Sequence, residues 1–152
     1  MLRLSKKTDY AIILLSHLAV NSDPVSAQEL AGVYHLPHPM VANILKLLAS
    51  SGIIESKRGQ QGGYSLTHNP DDLSMAEIIR VTDASFNLVE CALEKVDTDN
   101  CKISQWCPTQ DPLIALHKKI ESFMESLTLS EVTKHPHFKS YRRSGDETAH
   151  LP

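Results

Sequence analysis

The order of helix signals between residues 26 and 52 constrains the fold of this chain more than any other feature. Ser26-Ala27-Gln28-Glu29 has the form of a capping box and predicts a short helix to about Val33. After a turn at residues 34–37, apolar residues recur at helical spacing, namely Val41, Ile44, Leu45 and Leu48. Gly52 is well placed to end this second helix. Two short helices joined by a tight turn predict a helix-turn-helix.

A hairpin adds a wing to this motif. Two short strands, at residues 53–57 and 64–66, lie on either side of a glycine-rich loop. Further helices are predicted at about residues 5–20 and, after the capping box Ser74-Met75-Ala76-Glu77, to about Thr82. The predicted fold class is therefore mainly α, with a winged helix-turn-helix domain, a small two-stranded wing and a long dimerisation helix.

That long helix is predicted from about Thr109 to Leu127. Its apolar residues alternate at spacings of three and four positions: Leu113, Leu116, Ile120, Phe123 and Leu127. Such a heptad seam suits a partner helix and predicts a homodimer, while the alternative is packing against the protein's own core. Thr128 to Glu131 is predicted to cap one more short helix.

The second helix of a helix-turn-helix places its N-terminal residues at base edges in the major groove. The residues predicted to contact DNA in this way are His38, Pro39, Met40, Asn43 and Lys46. The amide of Asn43 can pair with adenine, whereas His38 and Lys46 suit phosphate contacts. Arg58, beside the wing glycines, suits a narrow minor groove. The alternative is a protein-interaction module of similar topology, with Arg58 in solvent.

All three cysteines of the chain, Cys91, Cys101 and Cys107, lie within one stretch that is predicted to be a long irregular loop. An odd number of cysteines is a poor disulfide framework, whereas clustered soft thiolates suit iron–sulfur clusters. The residues alone leave three interpretations open. These are an iron–sulfur cluster, a structural zinc ion with one more ligand, and three chemically inert buried thiols.

Composition restricts the class of protein. The chain of 152 residues has 22% charged residues and a formal net charge of −3, which is ordinary for a globular protein. Residues 1–66 carry six Lys or Arg against four Asp or Glu, a mildly basic balance that suits phosphate contacts. No membrane segment or secretory signal is predicted, so we expect a cytoplasmic protein with reduced thiols. No phosphate loop, paired acid–base carboxylates or nucleophile motif is present, which disfavours an enzyme.

Several motifs together resemble the IscR/NsrR family of winged-helix iron–sulfur transcription regulators. They are the opening Leu4-Ser5-Lys6-Lys7-Thr8-Asp9-Tyr10-Ala11, the Gly52-Ile53-Ile54 turn, and Arg58-Gly59-x-x-Gly62-Gly63-Tyr64 with Leu66. The resemblance runs from about Met1 to Val132, and within the family the chain is most similar to regulators of the SUF iron–sulfur assembly system. It implies a homodimer on double-stranded operator DNA, with Arg58 and residues 38–46 at the DNA and a 2Fe–2S or 4Fe–4S cluster on the three cysteines.

The fourth ligand of such a cluster stays open. IscR-like members use a histidine where this chain has Gln110, and NsrR-like members use an aspartate of the other subunit, at the position of Asp9. His117 is a third candidate, although we expect it at the surface or an interface, and an exogenous ligand is a fourth. The first cysteine interval is longer than is usual in the family, with an acidic insertion at residues 92–100.

These observations predict a regulator, and in particular a repressor, that senses iron–sulfur cluster status and controls cluster-assembly genes. Two alternatives are a nitric oxide-sensing iron–sulfur repressor and a zinc-stabilised protein-interaction module. The predicted organisation is a DNA-binding domain at 1–83, a cysteine cluster loop at 84–108, a dimerisation helix with a short C-terminal helix at 109–133, and a disordered tail at 134–152.

Overall fold

The computed structural model describes residues 4–59, 62–83, 89, 101, 103 and 106–134. Within them lie six helices and two strands. In chain order they are α1 (Lys6–Val20), α2 (Ala27–Val33), α3 (His38–Ser50), β1 (Ile54–Lys57), β2 (Gly63–Leu66), α4 (Met75–Thr82), α5 (Gln110–Ser126) and α6 (Leu129–Thr133). The fold class predicted from the sequence, mainly α with a winged helix-turn-helix, is confirmed.

Hydroxyl side chains begin four of the helices. Ser5, Ser26 and Ser74 each accept a hydrogen bond from the backbone N–H three residues on, which satisfies an amide that has no partner within the helix. At α6 the capping box is complete, because Thr128 accepts from the amide of Glu131 and the Glu131 carboxylate accepts from the amide of Thr128. These local bonds explain why the helix starts could be read from the sequence.

Helix α3, the predicted DNA-reading helix, ends in the way that the sequence predicts. Gly52 has a φ of 82°, a left-handed conformation that costs glycine little because it has no Cβ. The amide of Gly52 donates to the carbonyl of Ala49, and the amide of Ile53 donates to that of Leu48. This turn leads the chain directly from α3 into β1.

The wing is a two-stranded antiparallel hairpin in which Ile54 pairs with Leu66 and Lys57 pairs with Gly63. Val25, just ahead of α2, adds a short bridge to β2. Its amide donates to the carbonyl of Tyr64 at 3.0 Å, and its carbonyl accepts from the amide of Tyr64 at 2.8 Å. A Cβ on Gly63 would lie only 2.7 Å from the carbonyl carbon of Val25, so this close approach requires glycine.

One hydrophobic core lies between the helices α1, α2, α3, α4 and α6 and the hairpin. The predicted stripe of α3, Val41, Ile44, Leu45 and Leu48, is buried there together with Leu14, Leu15, Leu30 and Ile78. Helix α6 packs against α1 and contributes the fully buried Leu129. Backbone bonds from Met75 to Leu127 and from Leu129 to Leu73 tie the end of α5 to the start of α4. The core therefore includes a helix that follows the predicted dimerisation helix in sequence.

Most of the predicted cysteine loop at 84–108 lies outside the described residues, as does the predicted disordered tail beyond residue 134. The domain boundaries placed at these segments stay predictions. Among the helices of the described ranges, none is both long and apolar enough to cross a membrane.

Candidate nucleic-acid interface and cysteine site

Helix α3 presents its predicted reading residues to solvent. His38, Pro39, Met40, Asn43 and Lys46 are all exposed, whereas the apolar stripe on the other side of the helix is buried. Met40 is the large apolar side chain of this face and is 37% exposed. The burial pattern therefore leaves one polar face of α3 free to contact another molecule.

The turn that leads into α3 has two unusual features. His35 has a φ of 50°, a left-handed conformation that is uncommon for a residue other than glycine. Pro37 then occupies the position before the helix, without a capping side chain. The carbonyl of Pro37 accepts from the amides of Met40 and Val41, so the first turn is closed by backbone groups alone. The polar start of α3 is thus not covered by a capping side chain of its own.

Arg58 lies at the end of β1 and is exposed, as the sequence predicts for a wing residue. Its neighbour Lys57 differs, because the Lys57 ammonium lies 3.3 Å from the carboxylate of Glu55. Of these two wing cations, Lys57 already has an acidic partner on the same strand.

Two of the three cysteines fall within the described residues, and Cys91 lies outside them. Cys101 and Cys107 are both half-buried free thiols. The hydroxyl of Thr109 lies 3.4 Å from the Sγ atom of Cys107, just before α5 begins. This hydrogen bond, helped by the backbone amides of Thr109 and Gln110, lowers the pKa of the Cys107 thiol. A lower pKa favours the thiolate, which is the form that binds metals.

The candidates for a fourth ligand lie in different environments. Asp9 is exposed in the first turn of α1, and Gln110 is the first residue of α5. His117 is only 7% exposed, so of the expected surface or interface position the surface position is wrong. Its Nε2 atom lies 4.0 Å from the carboxylate of Glu121. Within the described ranges, which omit Cys91, no three His, Cys, Asp or Glu side chains converge as a metal site.

The predicted dimer seam of α5 is split between two environments. Leu116 and Phe123 are 45% and 59% exposed, whereas Leu113 and Ile120 are half-buried. Leu127 lies after the end of the helix and packs against the core of its own chain, the alternative that the sequence left open. Leu116 and Phe123 are thus the members of the seam that face solvent most fully.

Arg80 links the winged-helix unit to α5 and was not predicted from the sequence. Its guanidinium lies 2.6 Å from the Glu125 carboxylate and 3.4 Å from that of Glu121. These bonds raise the pKa of Arg80, which stays charged in any case. Since the three side chains are about half-exposed, the pairs add little stability but restrict how α4 and α5 pack. No local signal in the sequence pairs residues so far apart.

Four polar residues, here called the Asp83 network, join the first turn of α1 to the end of α4. One Asp83 carboxylate oxygen accepts from the backbone N–H of Ser5 at 3.1 Å and from the hydroxyl of Thr8 at 2.8 Å. The hydroxyl of Thr8, which is fully buried, also lies 2.7 Å from that of Thr82. Burial acts to raise the pKa of Asp83, but the bonds from Ser5 and Thr8, with the charge of Lys7, outweigh it and lower this pKa.

A helix-turn-helix with an exposed polar reading face and an adjoining two-stranded wing defines a winged-helix transcriptional regulator. The family model of Rrf2, described as an iron-dependent transcriptional regulator, matches residues 4–135. The chain therefore belongs to the Rrf2 family, and the resemblance to IscR- and NsrR-like regulators is confirmed. Because this family consists of transcriptional regulators, the expectation that the chain is not an enzyme is also confirmed.

Individual relatives agree with this assignment. Protein aau3 of Rhizobium meliloti (strain 1021) is 30% identical over 137 residues, which span 88% of this chain and 86% of that protein. The HTH-type transcriptional regulator NsrR of Bacillus subtilis (strain 168) is 26% identical over 135 residues, 88% of this chain and 91% of that protein.

Solved structures show the same fold. CymR (YrzC), the global cysteine regulator of B. subtilis, superimposes with a TM-score of 0.68 at 27% identity, over 88% of this chain and 97% of that one. T. potens IscR superimposes with a TM-score of 0.65 at 24% identity, over 99% of this chain and 94% of that one. At this low identity the IscR likeness concerns the fold alone.

Proposed function

We propose that this regulator binds double-stranded operator DNA as a homodimer and represses iron–sulfur cluster-assembly genes in response to a cluster held by Cys91, Cys101 and Cys107. The observation that carries the sensing proposal is the half-exposed Cys107 thiol, whose hydrogen bond to Thr109 favours the thiolate directly before α5. Helix α5 is the element that we expect to join the two subunits. A ligand on this thiol therefore acts next to the element that sets the spacing of the reading helices.

The DNA contacts follow from the chemistry of the exposed residues. The amide of Asn43 pairs with an adenine edge, Met40 and Pro39 contact apolar base atoms, and His38 and Lys46 contact phosphates. Arg58 enters the minor groove, where negative potential attracts a guanidinium. Two such half-sites lie one helical turn apart when a homodimer binds a palindromic operator.

The donor atoms of the cysteine segment fit an iron–sulfur cluster. Soft thiolates suit iron, and the half-exposed Cys101 and Cys107 are open to an incoming metal centre. When bound, a cluster supplies a redox-active group whose gain or loss reports on iron and oxidants. The protein supplies the thiolates and the helix to which they are attached. A coupling free energy of about 1–3 kcal/mol between cluster and DNA is enough to switch a promoter.

The fold likeness to CymR favours a second candidate function. That protein is the global cysteine regulator of B. subtilis, and its fold matches this chain over most of both lengths. A regulator of cysteine metabolism that holds no cluster would use the same DNA-binding residues. Iron content after anaerobic purification separates the two functions.

Anaerobic purification tests the cluster directly. We expect a coloured protein that contains iron and sulfide, and we expect Cys101→Ser and Cys107→Ser to lose both, because serine is a poor ligand for iron. Thr109→Val tests the hydrogen bond separately, because it leaves all three thiols but removes the bond that favours the Cys107 thiolate, and we expect it to retain less iron than the wild type. Colourless wild-type protein without iron would refute the cluster and favour the cysteine-responsive function.

Operator binding tests the wing. Arg58→Ala should weaken binding by about 1–3 kcal/mol if the guanidinium lies in the groove. Lys57→Ala is the control, because Lys57 is paired with Glu55 and should matter less. Equal affinities of the wild type and Arg58→Ala across a salt series would remove the wing from the interface.

A further inference from the structure

The Asp83 network lies where the winged-helix unit meets the cysteine-bearing segment. Asp83 directly follows α4 and ends the continuous described stretch 62–83, after which the chain continues toward the cysteines. Its carboxylate reaches back across the chain to Ser5, which itself caps α1 through the amide of Thr8. The first turn of α1 is thus held by a carboxylate that directly precedes the predicted cysteine loop at 84–108.

The geometry of the network makes it sensitive to the position of residue 83. A carboxylate only accepts hydrogen bonds, so the Thr8 hydroxyl donates to Asp83. The Thr82 hydroxyl lies 2.7 Å from that of Thr8, and the Thr8 oxygen and the Ile78 carbonyl compete for its single proton. Both bonds from α1 end on the same Oδ2 atom. A shift of Asp83 therefore weakens both bonds at once, and the fully buried Thr8 hydroxyl then has only the hydroxyl oxygens of Ser5 and Thr82 as acceptors within reach.

Helix α1 provides the route from this network to the DNA-binding surface. It packs against α3, the reading helix, and also against α4, β2 and α6. Its fully buried Leu14 and Leu15 belong to the same core as Val41 and Leu45 of α3. Helix α1 is thus in direct contact with the helix that presents Asn43 and Lys46.

We propose that the Asp83 network couples the cysteine-bearing segment to the first turn of α1. When a group binds to the thiols, the stability of the hydrogen bonds in that turn changes. Thr8 and Asp83 are positioning residues in this scheme, and they contact neither the DNA nor the thiols. The inference rests on the proposed function only for the identity of the natural group that occupies the cysteines.

Hydrogen exchange of the full chain tests the coupling without depending on a cluster. Iodoacetamide alkylates the half-exposed Cys101 and Cys107, and exchange of the amides of residues 6–10 is compared before and after alkylation. We expect a change of about fivefold or more in the wild type and in Thr8→Ser, which keeps the hydroxyl. In Thr8→Val and Asp83→Ala the amides of residues 6–10 should exchange faster than in the wild type, and their exchange rate should be the same before and after alkylation.

Two further variants make the result specific. Ser74→Ala removes the cap at the other end of α4 and should keep the thiol-dependent change. Asp83→Asn keeps one acceptor oxygen and should show a reduced change, which provides a result even if Asp83→Ala does not fold. A wild type whose exchange is the same in both thiol states would overturn the coupling. So would a Thr8→Val protein that retains the full change.

The same measurement separates this inference from the proposed function. If the wild type binds no iron but shows the alkylation-dependent change, the cluster proposal fails and the coupling stands. If the wild type binds iron and sulfide but the exchange rates of the amides of residues 6–10 do not respond to iron or to alkylation, the proposed coupling is wrong and the proposed cluster is supported.

Discussion

Among the serine residues of the described chain, most hydroxyl groups find hydrogen-bond partners, and Ser16 stands apart. Ser5, Ser26 and Ser74 satisfy helix amides. Ser16, in the middle of α1, is 1% exposed, and its Oγ atom has no hydrogen-bond partner among the described residues. A buried hydroxyl without a partner loses its hydration and gains nothing in return, so it destabilises the folded state.

Replacement of Ser16 by alanine should therefore stabilise the protein. We expect Ser16→Ala to raise the free energy of unfolding by about 1–2 kcal/mol, since it removes the unsatisfied group and alanine is the better helix former. Chemical denaturation measures the change. The same substitution at Ser74 should lower the free energy of unfolding by about 1 kcal/mol, because that hydroxyl caps α4. A destabilised Ser16→Ala protein would show that the hydroxyl has a partner in solution.

The two glycines at Gly63 and Gly32 should respond to alanine in opposite directions. A Cβ at Gly63 would collide with the backbone of Val25, so Gly63→Ala should break the bridge to Tyr64 and loosen the wing. At Gly32, within α2, no atom lies within 4 Å of the added Cβ, and Gly32→Ala should stabilise by about 1 kcal/mol. Thermal unfolding measures the stability of both variants, and operator affinity measures the effect of Gly63→Ala on the wing. A Gly63→Ala protein with unchanged affinity would separate the Val25 bridge from DNA binding.

Single residues also show which parts of the site could be predicted. The caps at Ser26 and Ser74 and the left-handed Gly52 were predictable, because each depends on neighbours within a few positions. The bond from Thr8 to Asp83 was not, since no local pattern joins residues so distant in sequence. The burial of His117 could have been inferred, because His117 follows Leu113 by one helical turn and precedes Ile120 by another.

At the scale of elements, α5 has two apolar edges where the sequence suggested one seam. Leu113, His117, Ile120 and Met124 follow one another at helical spacing and are buried or half-buried. Leu116 and Phe123 lie on the neighbouring edge and are exposed. Alternating intervals of three and four residues fit either edge, so spacing alone could not separate packing within the chain from packing against a second copy.

Helix α6 is short, yet it should contribute strongly to the winged-helix core. Leu129 is fully buried against this core, and two backbone bonds fix the segment to α4. We therefore expect Leu129→Ala to lower the free energy of unfolding by about 2–5 kcal/mol. Ile103→Ala is the control, because Ile103 is 64% exposed and its truncation should change stability by less than about 0.5 kcal/mol. Similar small losses for both variants would show that α6 detaches from the core in solution.

For the whole molecule, the arrangement of α5 relative to α3 determines what a homodimer could do on DNA. Arg80 of α4 binds Glu121 and Glu125 of α5. The backbone bonds at Met75 and Leu129 provide further contacts between the start of α4 and the segment after α5. The reading helix and α5 are thus parts of one connected unit. If two copies associate through α5, the contacts between α4 and α5, and not a flexible linker, determine the spacing of their reading helices.

The exposed edge of α5 makes the dimer testable with one substitution. A carboxylate at Phe123, which is 59% exposed, costs little in an isolated chain, but it would be buried between two copies without a partner. We expect Phe123→Glu to sediment as a monomer whose melting temperature no longer depends on protein concentration. Its operator affinity should fall at least about tenfold, because one winged helix contacts only one half-site. Lys118→Glu, an exposed change on the opposite side of α5, controls for the added charge and should remain dimeric. A Phe123→Glu protein that stays dimeric would move the interface away from this edge, and it would also remove the proposed mechanical role of α5 in setting the half-site spacing.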